Sequence, residues 1–109
     1  MHLISVNGVE VSGLMNLFKF FRLAFALRKQ GLASAGCLSF DMFRFESMFY
    51  LVAVWNSAPA MEEFQKSDLY QDLIQNRRGI VRSASGMLYE SKEMPTREVV
   101  VAQWRRDKG

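Results

Sequence analysis

The sequence contains very few of the residues that bind metals, form disulfides or serve a nucleophile. Cys37 is the only cysteine and His2 the only histidine among 109 residues. A single cysteine forms no intrachain disulfide, and a metal site needs several converging donors, which no spacing of His, Cys, Asp and Glu provides here. A catalytic Ser or Cys nucleophile would have to use His2, beside the initiating Met, as its base. No glycine-rich phosphate-binding loop is present. The sequence therefore predicts no metal site and no cofactor.

Long apolar runs and targeting segments are absent as well. The most apolar stretch, Leu14 to Leu27, is interrupted by Lys19 and Arg22 and is shorter than the ~20 residues that a membrane span needs. The N-terminus lacks the basic start, apolar middle and small-residue cleavage site of a signal peptide. We therefore expect a cytoplasmic protein without a membrane partner.

Charge of one sign is not concentrated in one part of the chain. The formal net charge is +3, and the basic residues fall mostly at predicted helix ends and at the C-terminus. Nucleic-acid-binding proteins usually gather such charge on one face, so no nucleic-acid partner is predicted. Half of the residues are hydrophobic, which indicates one globular domain over residues 1–109.

Hydrophobic periodicity and capping signals divide the chain into strands and helices. Ser57 and Pro59 mark a helix start, and Ser67 with Asp68 marks a second start that breaks this helix in two. The predicted order is a strand over 2–11, a helix over 14–29, a hairpin of strands over 36–46 and 48–55, a broken helix over 59–74, and strands over 81–90 and 99–104. This order, βαββαβ with a C-terminal strand, predicts an α+β fold of the ferredoxin-like sandwich type.

The first strand contains the pair Asn7-Gly8, which is a strong signal for a two-residue hairpin turn. A hairpin here would have two very short arms, and such arms are marginally stable. We therefore favour one strand with an irregularity at Gly8.

The first helix has more apolar surface than one sheet can cover. One apolar line, which we expect to face the sheet, consists of Leu14, Leu17, Phe18, Phe21, Ala24 and Phe25. A second line on another side consists of Phe20, Leu23 and Leu27. This second apolar line could contact a neighbouring helix or a partner chain, form the wall of a ligand pocket, or lie at a membrane surface.

The strand over 48–55 is apolar on both faces, since Leu51, Ala53 and Trp55 alternate with Val52 and Val54. Such a strand needs cover on both sides, and the predicted helices cover only one. A second copy of the same sheet would supply the other. We therefore expect a homodimer joined sheet to sheet, with the C-terminal strand reaching onto its neighbour.

The region over 54–74 carries a familiar pattern. The residues that make up this pattern are Trp55, Ala60-Met61, Phe64, Ser67 and Tyr70. The pattern resembles the dimeric α/β-barrel superfamily, which includes antibiotic-biosynthesis and haem-degrading monooxygenases, and it is most similar to a branch described only as monooxygenase-like. The resemblance implies a ferredoxin-like chain that pairs into a dimeric α/β barrel.

The same resemblance bears on haem degradation and on site residues. The Asn, Trp and His of the haem-degrading members fall on Asn7, Phe64 and Ile74, so only Asn7 is retained, and neither Phe64 nor Ile74 can donate to haem iron. The resemblance therefore implies that haem degradation is not the activity. In the monooxygenase-like branch a His often stands at the position of Tyr70, whose phenol still forms hydrogen bonds.

Some members of the superfamily oxygenate electron-rich substrates without a cofactor, in a dry apolar pocket with a few hydrogen-bonding groups. The candidate ligand-binding residues are Asn7, Arg22, Trp55, Phe64 and Tyr70, of which Asn7 and Tyr70 are also the catalytic candidates. Arg22 would anchor an acidic substrate group. Four of the five also have a simpler interpretation: Trp55 and Phe64 as core, Asn7 as part of a turn and Arg22 as solvated surface.

Asp41, the one acid among apolar residues of its strand, is a candidate buried base or the solvent face of a hairpin. The predicted function is small-molecule binding, with a small apolar or aromatic ligand held between helices and sheet. The alternative is a cofactor-independent monooxygenase acting on an aromatic or polyene substrate. A cavity that holds no more than water would instead indicate a purely structural dimer.

Overall fold

A computed structural model of the chain describes residues 1–108. Its elements are β1 (His2–Glu10), α1 (Leu14–Ala33), β2 (Cys37–Phe45), β3 (Met48–Trp55), α2 (Ala58–Gln65), α3 (Asp68–Ile74), β4 (Ser83–Ser91) and α4 (Arg97–Lys108). The four strands form one antiparallel sheet in the order β2-β3-β1-β4. The ferredoxin-like α+β fold predicted from the sequence is confirmed up to β4.

The predicted break between α2 and α3 is confirmed, and its cause is local. Ser57 Oγ accepts a hydrogen bond from the Ala60 amide at 3.4 Å, and Pro59 occupies the first turn of α2. Ser67 Oγ accepts from the Tyr70 amide at 3.3 Å and begins α3. Two separate caps therefore divide one predicted helix into two.

The sheet has a core on each face. On the helix-side face, α1, α2 and α3 cover an interior that includes Val9, Leu51, Ala53, Trp55 and Phe64. On the opposite face, here named the α4-side face, α4 covers Ile4, Val6, Tyr50, Val52 and Val54. Because successive strand residues point to opposite faces, the apolar run of β3 supplies both cores.

The C-terminal strand predicted over 99–104 is wrong, since this segment belongs to helix α4. Thr96 Oγ1 accepts a hydrogen bond from the Val99 amide at 3.2 Å, and the basic residues Arg105 and Arg106 lie in the last turn. Val100, Val101 and Trp104 are buried together on one face of α4. Capping and burial at helical spacing outweigh the strand propensity of the three consecutive valines.

Helix α4 covers the second sheet face, which the chain was expected to be too short to cover. The indole of Trp104 lies against Gly8 of β1, and a Cβ atom at position 8 would lie only 2.5 Å from Trp104 Cζ2. Trp104 also packs edge-on to Tyr50, with ring centroids 5.4 Å apart. The chain therefore covers both faces of its own sheet.

Strand β1 pairs in unbroken register with β3 and β4 through Gly8, so the single strand favoured over a hairpin is confirmed, while the irregularity expected at this position is wrong. The glycine is needed for a different reason. It leaves room on the α4-side face for Trp104, and also for Met48, whose Cε would be 2.7 Å from an added Cβ.

The buried side of α1 is centred on the second apolar line and includes only part of the line expected to face the sheet, since Leu17 and Phe21 are only partly buried. Phe20, Leu23, Ala24 and Leu27 are buried against the sheet and α3. Phe18 and Phe25, assigned to the inward line, are 62% and 59% exposed. Both sides of α1 are apolar, so periodicity alone could not select the buried side. None of the helices within residues 1–108 combines the length and apolar character needed to cross a membrane.

Candidate functional site

Two polar side chains, Ser5 and Asn7, are buried in the middle of the sheet. Both point from β1 to the helix-side face, because they share strand parity with Val9, and each is 7% exposed. A buried polar group is costly unless it is hydrogen-bonded. The partners of these two residues therefore define the chemistry of this part of the protein.

Aromatic side chains supply those partners. Trp55 Nε1 donates a hydrogen bond to Ser5 Oγ at 3.2 Å, and the Tyr70 hydroxyl donates to Asn7 Oδ1 at 3.2 Å. Trp55 comes from the end of β3, and Tyr70 is held in the first turn of α3 by the Ser67 cap. The four residues are brought together from β1, β3 and α3.

Phe64 of α2 lies between the two aromatic donors. Its ring centroid is 5.3 Å from that of Trp55, 5.7 Å from that of Tyr70 and 6.0 Å from that of Phe40. Tilted and edge-on contacts of this kind fix ring orientation. Phe64 therefore serves as core and, at the same time, as one wall of the site.

A small inner chamber lies beneath these rings. It is lined by Ser5, Asn7, Leu27, Phe40, Leu51, Ala53, Phe64 and Tyr70, and its accessible volume is about 10 Å³. A volume of ~10 to 15 Å³ is the minimum for a single water molecule. The chamber alone has no room for an organic ligand.

An open groove adjoins the chamber on the side of β4. This Asn7–Tyr70 groove is lined by Ser5, Val6, Asn7, Met61, Gln65, Tyr70, Gly86, Met87 and Leu88, and its accessible volume is about 260 Å³. Ser5, Asn7 and Tyr70 line both spaces. The hydrogen-bonded pair therefore forms the boundary between groove and chamber.

Gly86 keeps the amide of Asn7 accessible from the groove. It pairs with Asn7 across the β1–β4 ladder, and a Cβ atom there would lie 3.2 Å from Asn7 Oδ1. A side chain at this position would crowd the amide and narrow the groove. Gly86 was not among the residues predicted from the sequence, although a glycine inside a strand is itself a signal of close approach.

The electrostatic character of the groove is neutral. Its lining residues carry no charge, and burial raises the pKa of the Tyr70 phenol, while the hydrogen bond with Asn7 acts in the opposite direction. Within residues 1–108 Asn7 Nδ2 makes no hydrogen bond, whereas Oδ1 is engaged by Tyr70. The site thus offers an amide donor and a phenol oxygen within a largely apolar surface.

Two other sequence candidates lie elsewhere. Arg22 lines a separate groove with Lys19 and Arg78, which shares no residue with the Asn7–Tyr70 groove. Asp41 makes a bidentate ion pair with Arg97 of α4, at 3.0 Å for each contact, so it is not a buried base. The structure therefore unites Asn7, Trp55, Phe64 and Tyr70, and leaves Arg22 outside.

Comparison with known proteins relates these residues to a family. The family model described as antibiotic biosynthesis monooxygenase matches residues 19–76, more than half of the chain. The match includes Trp55, Phe64 and Tyr70, while Asn7 and Gly86 lie outside it. A search of curated proteins found no match.

Solved structures share the fold at low sequence identity. A Mycobacterium tuberculosis protein has a TM-score of 0.72 at 15% identity, over 88% of this chain and 100% of its own. A conserved Methanosarcina mazei protein has a TM-score of 0.72 at 14% identity, over 84% and 94%. A protein described as an antibiotic biosynthesis monooxygenase has a TM-score of 0.69 at 14% identity, over 84% and 99%. At these identities the similarity establishes the fold.

Proposed function

Since the chain belongs to the antibiotic biosynthesis monooxygenase family, we propose that it binds a small aromatic molecule in the Asn7–Tyr70 groove. The observation that carries the proposal is the buried Asn7–Tyr70 pair, whose free amide nitrogen lies at an open, uncharged groove. Small-molecule sites commonly combine apolar walls with a few placed polar groups. This groove has that composition.

The size of the groove limits the ligand. Its 260 Å³ lies just below the range of about 300 to 1,000 Å³ that is common for small-molecule sites. A ligand of one or two rings fits this space better than an extended polyene. Met61 and Leu88 would contact the ring faces or edges, and the inner chamber would hold at most a water beside the bound molecule.

The polar groups suggest how such a ligand is oriented. A phenol or carbonyl oxygen of the ligand can accept a hydrogen bond from Asn7 Nδ2. A ligand hydroxyl can donate to the Tyr70 oxygen, because the Tyr70 proton is already directed at Asn7. Phenols and hydroxylated naphthalenes meet both requirements.

A binding titration with matched variants tests the proposal. We expect 1-naphthol to shift the side-chain amide NMR signals of Asn7 and the backbone amide of Gly86. Gly86→Val fills the groove and should weaken binding by at least about tenfold, which corresponds to ~1.4 kcal/mol. Ser85→Val, a neighbouring exposed position on the same strand, should change the affinity by less than about twofold. Equal losses in both variants, or no shift at Asn7, would overturn the proposal.

The alternative function is cofactor-independent oxygenation of an electron-rich aromatic, supported by the family relationship and by the neutral phenol–amide pair. In that case 1,4-dihydroxynaphthalene should consume oxygen faster with the protein than without it. Tyr70→Phe should lower this rate by roughly tenfold or more while 1-naphthol still binds. Binding without any added oxygen uptake would leave ligand binding as the function.

The proposal includes a homodimer only on the condition that α4 moves away from the sheet. The dimeric α/β barrel implied by the family resemblance joins two sheets through the face that α4 covers in this chain. A sheet-to-sheet dimer therefore requires α4 to leave that face. Sedimentation velocity at low micromolar concentration tests this, since a folded single species of monomer mass would exclude the dimer. A dimer whose groove binds no ligand would instead favour the purely structural dimer.

A further inference from the structure

We propose that a second groove, formed by α1 and the segment after α3, binds an organic anion with an apolar body. This cationic groove has an accessible volume of about 520 Å³ and is lined by Lys19, Arg22, Leu23, Ala26, Leu69, Arg78 and Ile80. It is larger than the Asn7–Tyr70 groove and shares no residue with it. The proposal therefore goes beyond the proposed function.

Positive charge converges on this groove from distant parts of the chain. Lys19 and Arg22 come from α1, which contains no acidic residue, and Arg78 comes from the segment between α3 and β4. None of the lining residues is acidic. Like charges brought together in this way repel one another, and an anion between them relieves the repulsion.

The counter-charges supplied by the protein are insufficient. Asp72 pairs with Arg78 at 3.1 Å and with Arg77 at 3.7 Å, so one carboxylate serves two guanidinium groups. Within residues 1–108 Lys19 and Arg22 form no ion pair. These two cations are therefore available to a ligand.

The floor of the groove is apolar. Leu23 and Ile80 form its base but are only 2% and 5% exposed, so the apolar surface that a ligand can cover comes mainly from exposed Ala26 and half-buried Leu69. A free inorganic ion would leave this floor unused, whereas an alkyl or aryl group would cover it. Guanidinium groups match carboxylate and phosphate oxygens in geometry, which defines the class as carboxylates or phosphates attached to an apolar body.

Isothermal titration of the full chain with short amphiphiles tests the inference. Octanoate and octyl phosphate, below their micellar concentrations, should bind, while octanol and inorganic phosphate should each bind at least about tenfold more weakly. The stronger of the two octyl anions identifies the oxyanion group. Raising the salt concentration should weaken both, because the cations are exposed.

Charge-removing variants on one helix provide the matched comparison. Lys19→Gln/Arg22→Gln should weaken octyl anion binding at least about tenfold. Lys29→Gln, at an exposed position of the same helix outside the groove, should change this affinity by less than about twofold. Gly86→Val should leave octyl anion binding unchanged, so this test gives a result independent of whether the Asn7–Tyr70 groove binds an aromatic ligand. Equal binding of octanol, or equal losses in the Lys29 and Lys19/Arg22 variants, would overturn the inference.

Discussion

The two faces of the sheet are covered in different ways and contain different chemistry. Three helices cover the helix-side face, which contains the buried polar residues Ser5 and Asn7, each hydrogen-bonded to an aromatic side chain. One helix, α4, covers the α4-side face, whose buried sheet residues are apolar or aromatic. There the buried hydroxyl of Tyr89 has no hydrogen-bond partner among residues 1–108.

The comparison shows that the buried polar residues of β1, Ser5 and Asn7, have hydrogen-bond partners and also line the Asn7–Tyr70 groove. Strand β1 contributes to both faces, and its alternation places Ser5 and Asn7 on one and Ile4 and Val6 on the other. The first face combines burial with an accessible hydrogen-bonding pair, while the buried residues that the second face takes from β1 are apolar. Variants on the two faces should therefore respond differently.

The largest expected effect is on the helix-side face. Phe64→Ala should lower the free energy of unfolding by ~3 to 5 kcal/mol, because a buried ring packed against Trp55, Phe40 and Tyr70 would be lost. Urea denaturation measures this loss. The control is Phe25→Ala on the exposed side of α1, which should change stability by no more than ~0.5 kcal/mol. A loss near zero for Phe64→Ala would place this ring on an open wall.

The next effect is on the α4-side face. Gly8→Ala should cost ~1 to 3 kcal/mol, since the added methyl overlaps the indole of Trp104. In a Trp104→Ala background the same change should become neutral or favourable, because glycine is otherwise a poor strand residue. A double-mutant cycle measured by urea denaturation gives the coupling free energy between positions 8 and 104. Additive effects would show that Trp104 does not occupy the space above Gly8.

Smaller effects compare the two buried phenols directly. Tyr70→Phe should cost ~0.5 to 1.5 kcal/mol, because its hydrogen bond to Asn7 is lost. Tyr89→Phe removes a hydroxyl without a partner and should be neutral or stabilising. Thermal unfolding of the two variants beside the wild type measures both. The opposite order would contradict the contrast between the faces.

The smallest expected effect is a loss of folding stability at alkaline pH. Burial raises the pKa of both Tyr70 and Tyr89, so the unfolded chain releases these protons at lower pH than the folded protein. Their contribution to stability is therefore complete below the ordinary tyrosine pKa of about 10 and is lost as the pH rises through the folded values. Urea midpoints near pH 7 and near pH 11 should differ less in Tyr70→Phe than in the wild type. An equal decline would show that Tyr70 is not shielded from water.

The sequence was sufficient for features that depend on local signals. The caps at Ser57 and Ser67, the β2–β3 hairpin and the grouping of Asn7, Trp55, Phe64 and Tyr70 follow from nearby residues or from the family pattern. It was insufficient where two local signals compete. The valines before Trp104 favour a strand, while the cap and the burial of one side favour a helix, and only packing on the sheet decides between them.

Packing between distant elements explains the other differences. Both sides of α1 are apolar, so the buried side depends on how the helix lies over the sheet. The role of Gly8 depends on Trp104, which lies far away in the chain. Arg22 and Arg78 meet in a groove that no spacing along the chain could have indicated. The site residues were predictable as a group, but the shapes of the two grooves were not.

The position of α4 after every strand has a consequence for protein synthesis. The ribosome completes the whole sheet before the residues that cover its second face, and domains begin to fold during synthesis from the N-terminal side. Until Trp104 emerges, a nascent chain presents Ile4, Val52 and Val54 to its surroundings, and a premature stop before α4 would make that state permanent. Such shortened products should be retained by chaperones or accumulate in inclusion bodies.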